Sequence, residues 1–310
     1  MLYLTTRDKL DAFTAVHALK EDRAKCGGFY VPYRLPTFSK EEILALQYLS
    51  FGQRIAKMLN YFFNASLTGA DVEFAIGRRP VRVAAMSHKI AVLEAWHNHD
   101  GDFDFLVAKL YRLIIKEEPQ TSSAATWFRI AVRIAVLFAA FADLLKTDIV
   151  AFSRPVDVSA AVGDFIAPIA IWYARKMGLP IGNIVVSCSE NSAVWDFLHN
   201  GILSGIEMPA VEILLFERFG FHLTQSFVRC SLCGKSFSIS EDKLEILRKG
   251  MFCAVVRQHR IESIIQNQFK TNQYWMEQNT AAGFGGLQDY RATQSETRAA
   301  LILSDKNPQT

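Results

Sequence analysis

Val158-Ser159-Ala160-Ala161-Val162-Gly163-Asp164-Phe165-Ile166, followed by Ala174-Arg175-Lys176-Met177-Gly178-Leu179-Pro180, decides how this chain is read. The order is strand, glycine turn, helix and helix stop. A second strand, Ile184-Val185-Val186-Ser187-Cys188, ends on the polar tip Ser189-Glu190-Asn191. Together they make one βαβ unit, whose first turn stands where α/β proteins often hold phosphates.

Outward from this unit, the chain has 310 residues, half of them hydrophobic, enough to bury a sizeable core in one or two domains. A net charge of +3 is small for that length, and no nucleic-acid-binding surface is expected. The five cysteines are odd in number and too sparse for a disulfide framework, which favours a reducing, cytoplasmic setting. The first residues, Met1 to Asp8, lack the basic start and apolar run of a signal peptide. Ile130 to Leu145 is strongly apolar, but it is too short to span a bilayer and is interrupted by Arg133 and Asp143. A buried core helix is expected there, and no membrane partner.

Gly27-Gly28 before Phe29-Tyr30-Val31-Pro32 predicts a turn into a short strand ended by the proline. Ser39 and Glu42 have capping-box spacing, and Ile55, Leu59 and Phe62 place a helix over Phe51 to Phe63. Residues from about Leu67 to Pro80, with Gly69 and Gly77 as breakers, are the expected junction between a domain 1–80 and a domain 81–310. Helices are expected from Asp104 to about Lys116, Val211 to Phe219 and Glu241 to Arg248, and a strand over Ala299 to Leu303. Strands alternating with helices predict an α/β architecture with a largely parallel sheet.

Several of these runs, in order, resemble threonine synthase, a pyridoxal-phosphate (PLP) enzyme family. Tyr3 with Thr5-Thr6-Arg7 resembles the family's opening, and Gly27-Gly28-Phe29-Tyr30-Val31-Pro32 its early glycine turn. Trp127-Phe128-Arg129-Ile130 is similar to its Trp-Ala-Arg-Ile. Ala174 through Ile181 looks like Ala-Lys-Lys-Met-Gly-Leu-Pro-Ile. Phe197-Leu198 with Gly201, Glu212 to Phe216, and Asn279-Thr280-Ala281-Ala282-Gly283 continue the series. The resemblance implies a shortened type II PLP-enzyme (tryptophan-synthase-β-like) architecture with a small N-terminal domain. It also implies PLP as cofactor and conversion of O-phospho-L-homoserine to L-threonine and phosphate.

The departures fall on the chemistry. Leu93-Glu94-Ala95-Trp96-His97 resembles the start of the family's lysine segment and Phe103 its phenylalanine, which sets Asp104 at the Schiff-base lysine. Aspartate cannot form an imine, so no catalytic residue is assigned, and a catalytically inactive protein is expected. The alternative is a residual PLP-dependent lyase of threonine biosynthesis, with Lys89 or Lys109 as the substitute. The resemblance assigns Gly163, Asp164 and Phe165 to the phosphate turn and Ser304 to a hydroxyl beside the pyridine nitrogen. Asp164 and Ile166 replace an asparagine and a glycine of the family turn, which weakens phosphate binding.

Two metal patterns compete. Cys230 and Cys233 have the spacing of half a zinc knuckle that Cys253 and His259 could complete; two unligated thiols are the other reading. His97 and His99, with His88 upstream, lie on one side of an extended run but lack a third ligand. No metal is assigned. The length missing between about Lys116 and Ser123 predicts a reduced sheet over 80–123. The helix from Ala125 to Leu145 should then expose apolar surface, or be covered by a second copy or another protein partner.

Overall fold

A computed structural model describes residues 1–8, 11–78, 80–87, 89–96, 101–115, 125–147, 150–204 and 208–308. The chain opens with strands β1 (Leu2–Thr5) and β2 (Phe13–Thr14), helix α1 (Ala15–Lys20) and strand β3 (Tyr30–Pro32). The strands form an antiparallel sheet ordered β2-β1-β3. Helices α2 (Lys40–Ala45), α3 (Phe51–Phe63) and α4 (Gly69–Ile76) follow. Ser39 and Glu42 make the expected capping box, each side chain taking the other's backbone N–H.

Gly69 does not break the chain. It is the first residue of α4, because Thr68 and Asp71 form another capping box ahead of it. Gly77 does end that helix, at a φ of 83° that a side chain would resist.

The second part adds β4 (Arg82–Ser87), β5 (Ile90–Glu94), α5 (Phe103–Ile115) and α6 (Thr126–Lys146). Then come β6 (Val156–Ala161), α7 (Ile166–Lys176) and β7 (Ile181–Cys188), the βαβ unit read from sequence. Helix α8 (Ala193–Asn200), β8 (Ile202–Leu203), α9 (Pro209–Phe219), α10 (Phe221–Leu232), β9 (Phe237–Ser238) and α11 (Glu241–Arg248) lead to β10 (Met251–Val255). Helices α12 (Gln258–Asn272) and α13 (Gln278–Ala292) precede β11 (Ala300–Ser304).

Six strands form the main sheet in the order β10-β7-β6-β11-β5-β4, all parallel except β4. Val158, Ala160, Val185, Val186, Leu301 and Ile302 are buried within it, as expected of a parallel sheet covered on both faces.

Helix α6 overturns one expectation. Only Arg129, Asp143 and Lys146 escape burial, so no partner chain is needed to cover it. The cover comes from the N-terminal region and from α7. Trp127 meets Tyr3, Phe62 and Tyr173 edge-on, and its indole donates to Tyr3 Oη, which donates to Phe62 O (2.7 Å). Arg54 of α3, itself buried, donates to Ala139 O and pairs with Asp143. No helix among the described residues is long and apolar enough to cross a membrane.

Candidate functional site

The carboxyl ends of β6 and β11 open onto a cavity of about 260 Å³. Clefts in open parallel sheets lie at that edge, because strand ends and helix N-termini converge there. Ala160 and Ala161 end β6, and Gly163, Asp164 and Phe165 make the turn into α7. The three turn residues read from sequence therefore line one cavity.

At Phe165 the turn takes a φ of 64°, while its ring is buried. That geometry swings Asp164 back over the start of α7, where Oδ1 accepts from Ile166 N (3.1 Å). An anion supplied by the chain thus occupies a helix N-terminal N–H. Pro168 fits because it stands in the first turn of α7.

Asp164 Oδ2 accepts from Arg129 Nη1 (3.0 Å), and Arg129 Nη2 donates to Asp104 Oδ1 (2.6 Å). One arginine of α6 thereby spans from α5 to the turn. Deeper in, Arg133 donates two bonds to Asp305 (2.6 and 2.5 Å) and lies 3.3 Å from the centre of the Phe103 ring. Arg133 is 2 % exposed, and its Nε makes no hydrogen bond. Asp102, Asn279 and Lys306 complete the polar lining.

Ser304 ends β11 but is not part of that lining. It is buried, and its Oγ accepts from Trp96 Nε1 (2.9 Å) and Thr280 Oγ1 (2.8 Å). Beside it Glu94, fully buried at the end of β5, takes two bonds from Arg82 and one from Tyr274 Oη. Burial and the Glu94 charge push the Tyr274 phenol well above its ordinary pKa.

Neither lysine read from sequence reaches the cavity. Lys89 precedes β5 at the opposite edge of the sheet, where its Nζ donates to Thr297 O (3.1 Å). Lys109 stands over Phe105 (5.2 Å) on α5. The lysine that does line the cavity is Lys306, carried there because β11 ends two residues earlier. Arg133, Asp305 and Lys306 were not assigned to the site from sequence; the strand over Ala299 to Leu303 and Ser304 after it pointed to that edge.

The zinc pattern is not assembled. Cys230 and Cys233 end α10 and begin the next turn, while Cys253 Sγ lies 3.5 Å from Cys188 Sγ across β7 and β10. Among the described residues no three His, Cys, Asp or Glu side chains gather to hold a metal ion. His88, His97 and His99 lie outside the described residues.

The parallel sheet and its flanking helices have the α/β architecture of the type II PLP enzymes. Residues 2–78 match the family described as threonine synthase N terminus. The chain superposes on the PLP-bound threonine synthase of Brucella melitensis with a TM-score of 0.84 at 17% identity, covering 99% of this chain and 89% of that one. For the yeast threonine synthase the TM-score is 0.82 at 13% identity, covering 99% and 87%. Threonine synthase-like 1 of Mus musculus is 27% identical over 132 residues, 40% of this chain and 17% of that protein. Threonine synthase-like 1 of Homo sapiens is 26% identical over the same length. This chain thus matches about a sixth of the length of those curated relatives. Residues 2–78 thus match the threonine synthase N-terminal family model, and the chain has the fold of the threonine synthases on which it superposes.

Proposed function

We propose that this protein is a threonine synthase-like chain that no longer performs the family's PLP-dependent reaction. The observation that carries the reading is the bridge Asp104–Arg129–Asp164, which spans the cleft with the chain's own side chains. The resemblance sets a lysine where Asp104 stands, and a carboxylate offers no amine for an imine.

The donor set does not fit PLP. Asp164 already holds the α7 N–H and one edge of Arg129, the groups a phosphate would need. The lining carries Asp102, Asp104, Asp164 and Asp305 against Arg129, Arg133 and Lys306, an excess of negative charge. A carboxylate about 4 Å from a phosphate costs roughly 4 kcal/mol per unit of charge at an effective dielectric near 20. Asp164 is half exposed, so solvent reduces that figure without changing its sign. Ser304 offers no open pocket either, since Trp96 and Thr280 already contact its hydroxyl.

The reading leaves a folded, non-catalytic protein whose cleft is bridged by its own side chains. Treatment of the full chain with PLP, borohydride reduction and peptide mapping test it. No stoichiometric pyridoxyl-lysine is expected; a single labelled lysine, above all Lys306, refutes it.

A further inference from the structure

At the amino edge of the main sheet, away from the cleft, two arginines crowd one turn. Arg175 ends α7 and donates from Nη1 to Gly182 O (2.9 Å) and Gly250 O (3.3 Å). Arg218 ends α9 and donates from Nη2 to Lys249 O (3.1 Å). Adjacent carbonyls thus draw two guanidinium groups together. Gly250 permits this. Its φ is 76°, and a Cβ there would meet Arg175 Nη1 at 2.5 Å.

These carbonyls use only part of each five-donor fork. Arg218 Nε is buried and makes no hydrogen bond. Neither arginine has a carboxylate ion pair among the described residues. The nearest acid in sequence, Glu217, is already engaged: Oε1 accepts from Tyr173 Oη (3.0 Å) and Oε2 from Lys176 Nζ (3.1 Å). Lys176 and Arg218 also both lie near the Trp172 ring, at 4.4 and 5.2 Å, which adds a third cation to the neighbourhood.

Helix C-termini supply about half a negative charge each, and they explain why basic residues stand here. They do not offset two half-buried guanidinium groups, and the Lys176 ammonium is already paired with Glu217. Burial lowers the pKa of both arginines, and at Arg218 the Arg175 charge lowers it further. Arginine does not deprotonate in proteins, so the pair keeps its charge and, among the described residues, lacks a carboxylate counterion.

We propose that Arg175 and Arg218, held side by side at the Lys249-Gly250 turn, bind a tetrahedral oxyanion, either inorganic phosphate or the phosphate of a phosphomonoester. Guanidinium groups suit such an anion better than lysines would, because the donors left over from the carbonyls are held in a fixed plane.

The full chain is titrated calorimetrically with inorganic phosphate and, separately, with glycerol 3-phosphate, with chloride holding the ionic strength constant. Saturable phosphate binding is expected, weakened at least tenfold in Arg218→Gln. Binding of the ester as well identifies a phosphomonoester as the source; binding of inorganic phosphate alone identifies the free ion. Circular dichroism checks the fold of each variant. Should Arg218→Gln unfold, Arg218→Lys keeps the charge without the fork and must bind phosphate more weakly than the parent. No saturable binding in the parent overturns the proposal, as does equal affinity in the Arg218 variants. A loss confined to Arg129→Gln places the anion in the cleft instead, and also overturns it.

Discussion

Replacing Glu212 with alanine should cost this fold more than most single substitutions. Glu212 is buried on α9, with its side chain 1% exposed and that of its partner Arg7 13% exposed. It accepts from Thr6 Oγ1 (2.5 Å), Arg7 Nε (3.0 Å) and Arg7 Nη2 (2.8 Å). Thr6 Oγ1 also accepts from Phe29 N (3.0 Å), so the carboxylate fixes the glycine turn as well as the first strand. Removing one partner of a buried ion pair costs about 3–5 kcal/mol, because the other charge is left desolvated. The slight exposure of Arg7 argues for the lower end, about 3 kcal/mol. At ~2 °C per kcal/mol for a chain of this size, the melting temperature should fall by about 6 °C. Thermal denaturation followed by circular dichroism measures it, and amide exchange at Phe29 should quicken in parallel. The double variant Arg7→Met/Glu212→Leu should recover at least half the loss, because no charge is then left buried. A fall below about 1 °C in Glu212→Ala, or a double variant as unstable as the single, refutes the reasoning.

Gly286 of α13 packs against β7 so closely that an added Cβ would overlap Ser187 Oγ; Gly286→Ala should lose about 1–3 kcal/mol in urea unfolding, and Ser187→Gly should restore much of it. Ser187 Oγ is itself buried without a hydrogen bond, so Ser187→Ala alone should leave stability unchanged or raise it in the same assay. Burial raises the Asp157 pKa, so the folded state holds that proton more tightly than the unfolded chain; this contribution is present in acid and is lost as pH rises through the folded pKa. Asp157→Asn should accordingly flatten that part of the stability–pH curve and raise stability at neutral pH. Ellman's reagent should modify exposed Cys26 and Cys233 first, and Cys188 only after denaturation, as timed absorbance and mass mapping will show.

The βαβ unit was legible because both its strands are buried on two faces and so read as apolar runs bounded by Gly163, Gly178 and Pro180. Helices α3 and α11 have the bounds their apolar spacing predicted. Helix α4 was missed although its signal was present: Thr68 and Asp71 have capping-box spacing, but Gly69 between them suggested a break. The burial of α6 was expected from its own apolar run, but what covers it could not be read locally. Its cover comes from Tyr3, Arg54 and Phe62, far away in sequence. The turn residues of the cleft were legible as a motif, whereas the Arg129 bridge joins positions 25 and 35 residues apart on different elements. Spacing carries no information about such a contact. Ser304 was placed at its strand end, but only the fold shows that Trp96 and Thr280 enclose it.

The seating of α6 against α3 and Tyr3 has a consequence for synthesis. Residues up to Phe63 are made well before α6, and part of their apolar surface closes on Trp127 and its neighbours. At roughly 5–20 residues per second, the nascent chain carries that open face for several seconds before α6 exists. The early helices can form locally in that interval, but the contacts that hold them together span long stretches of chain and arrive late. During those seconds the growing polypeptide presents the kind of surface on which chaperones act, and slower translation would lengthen its stay there.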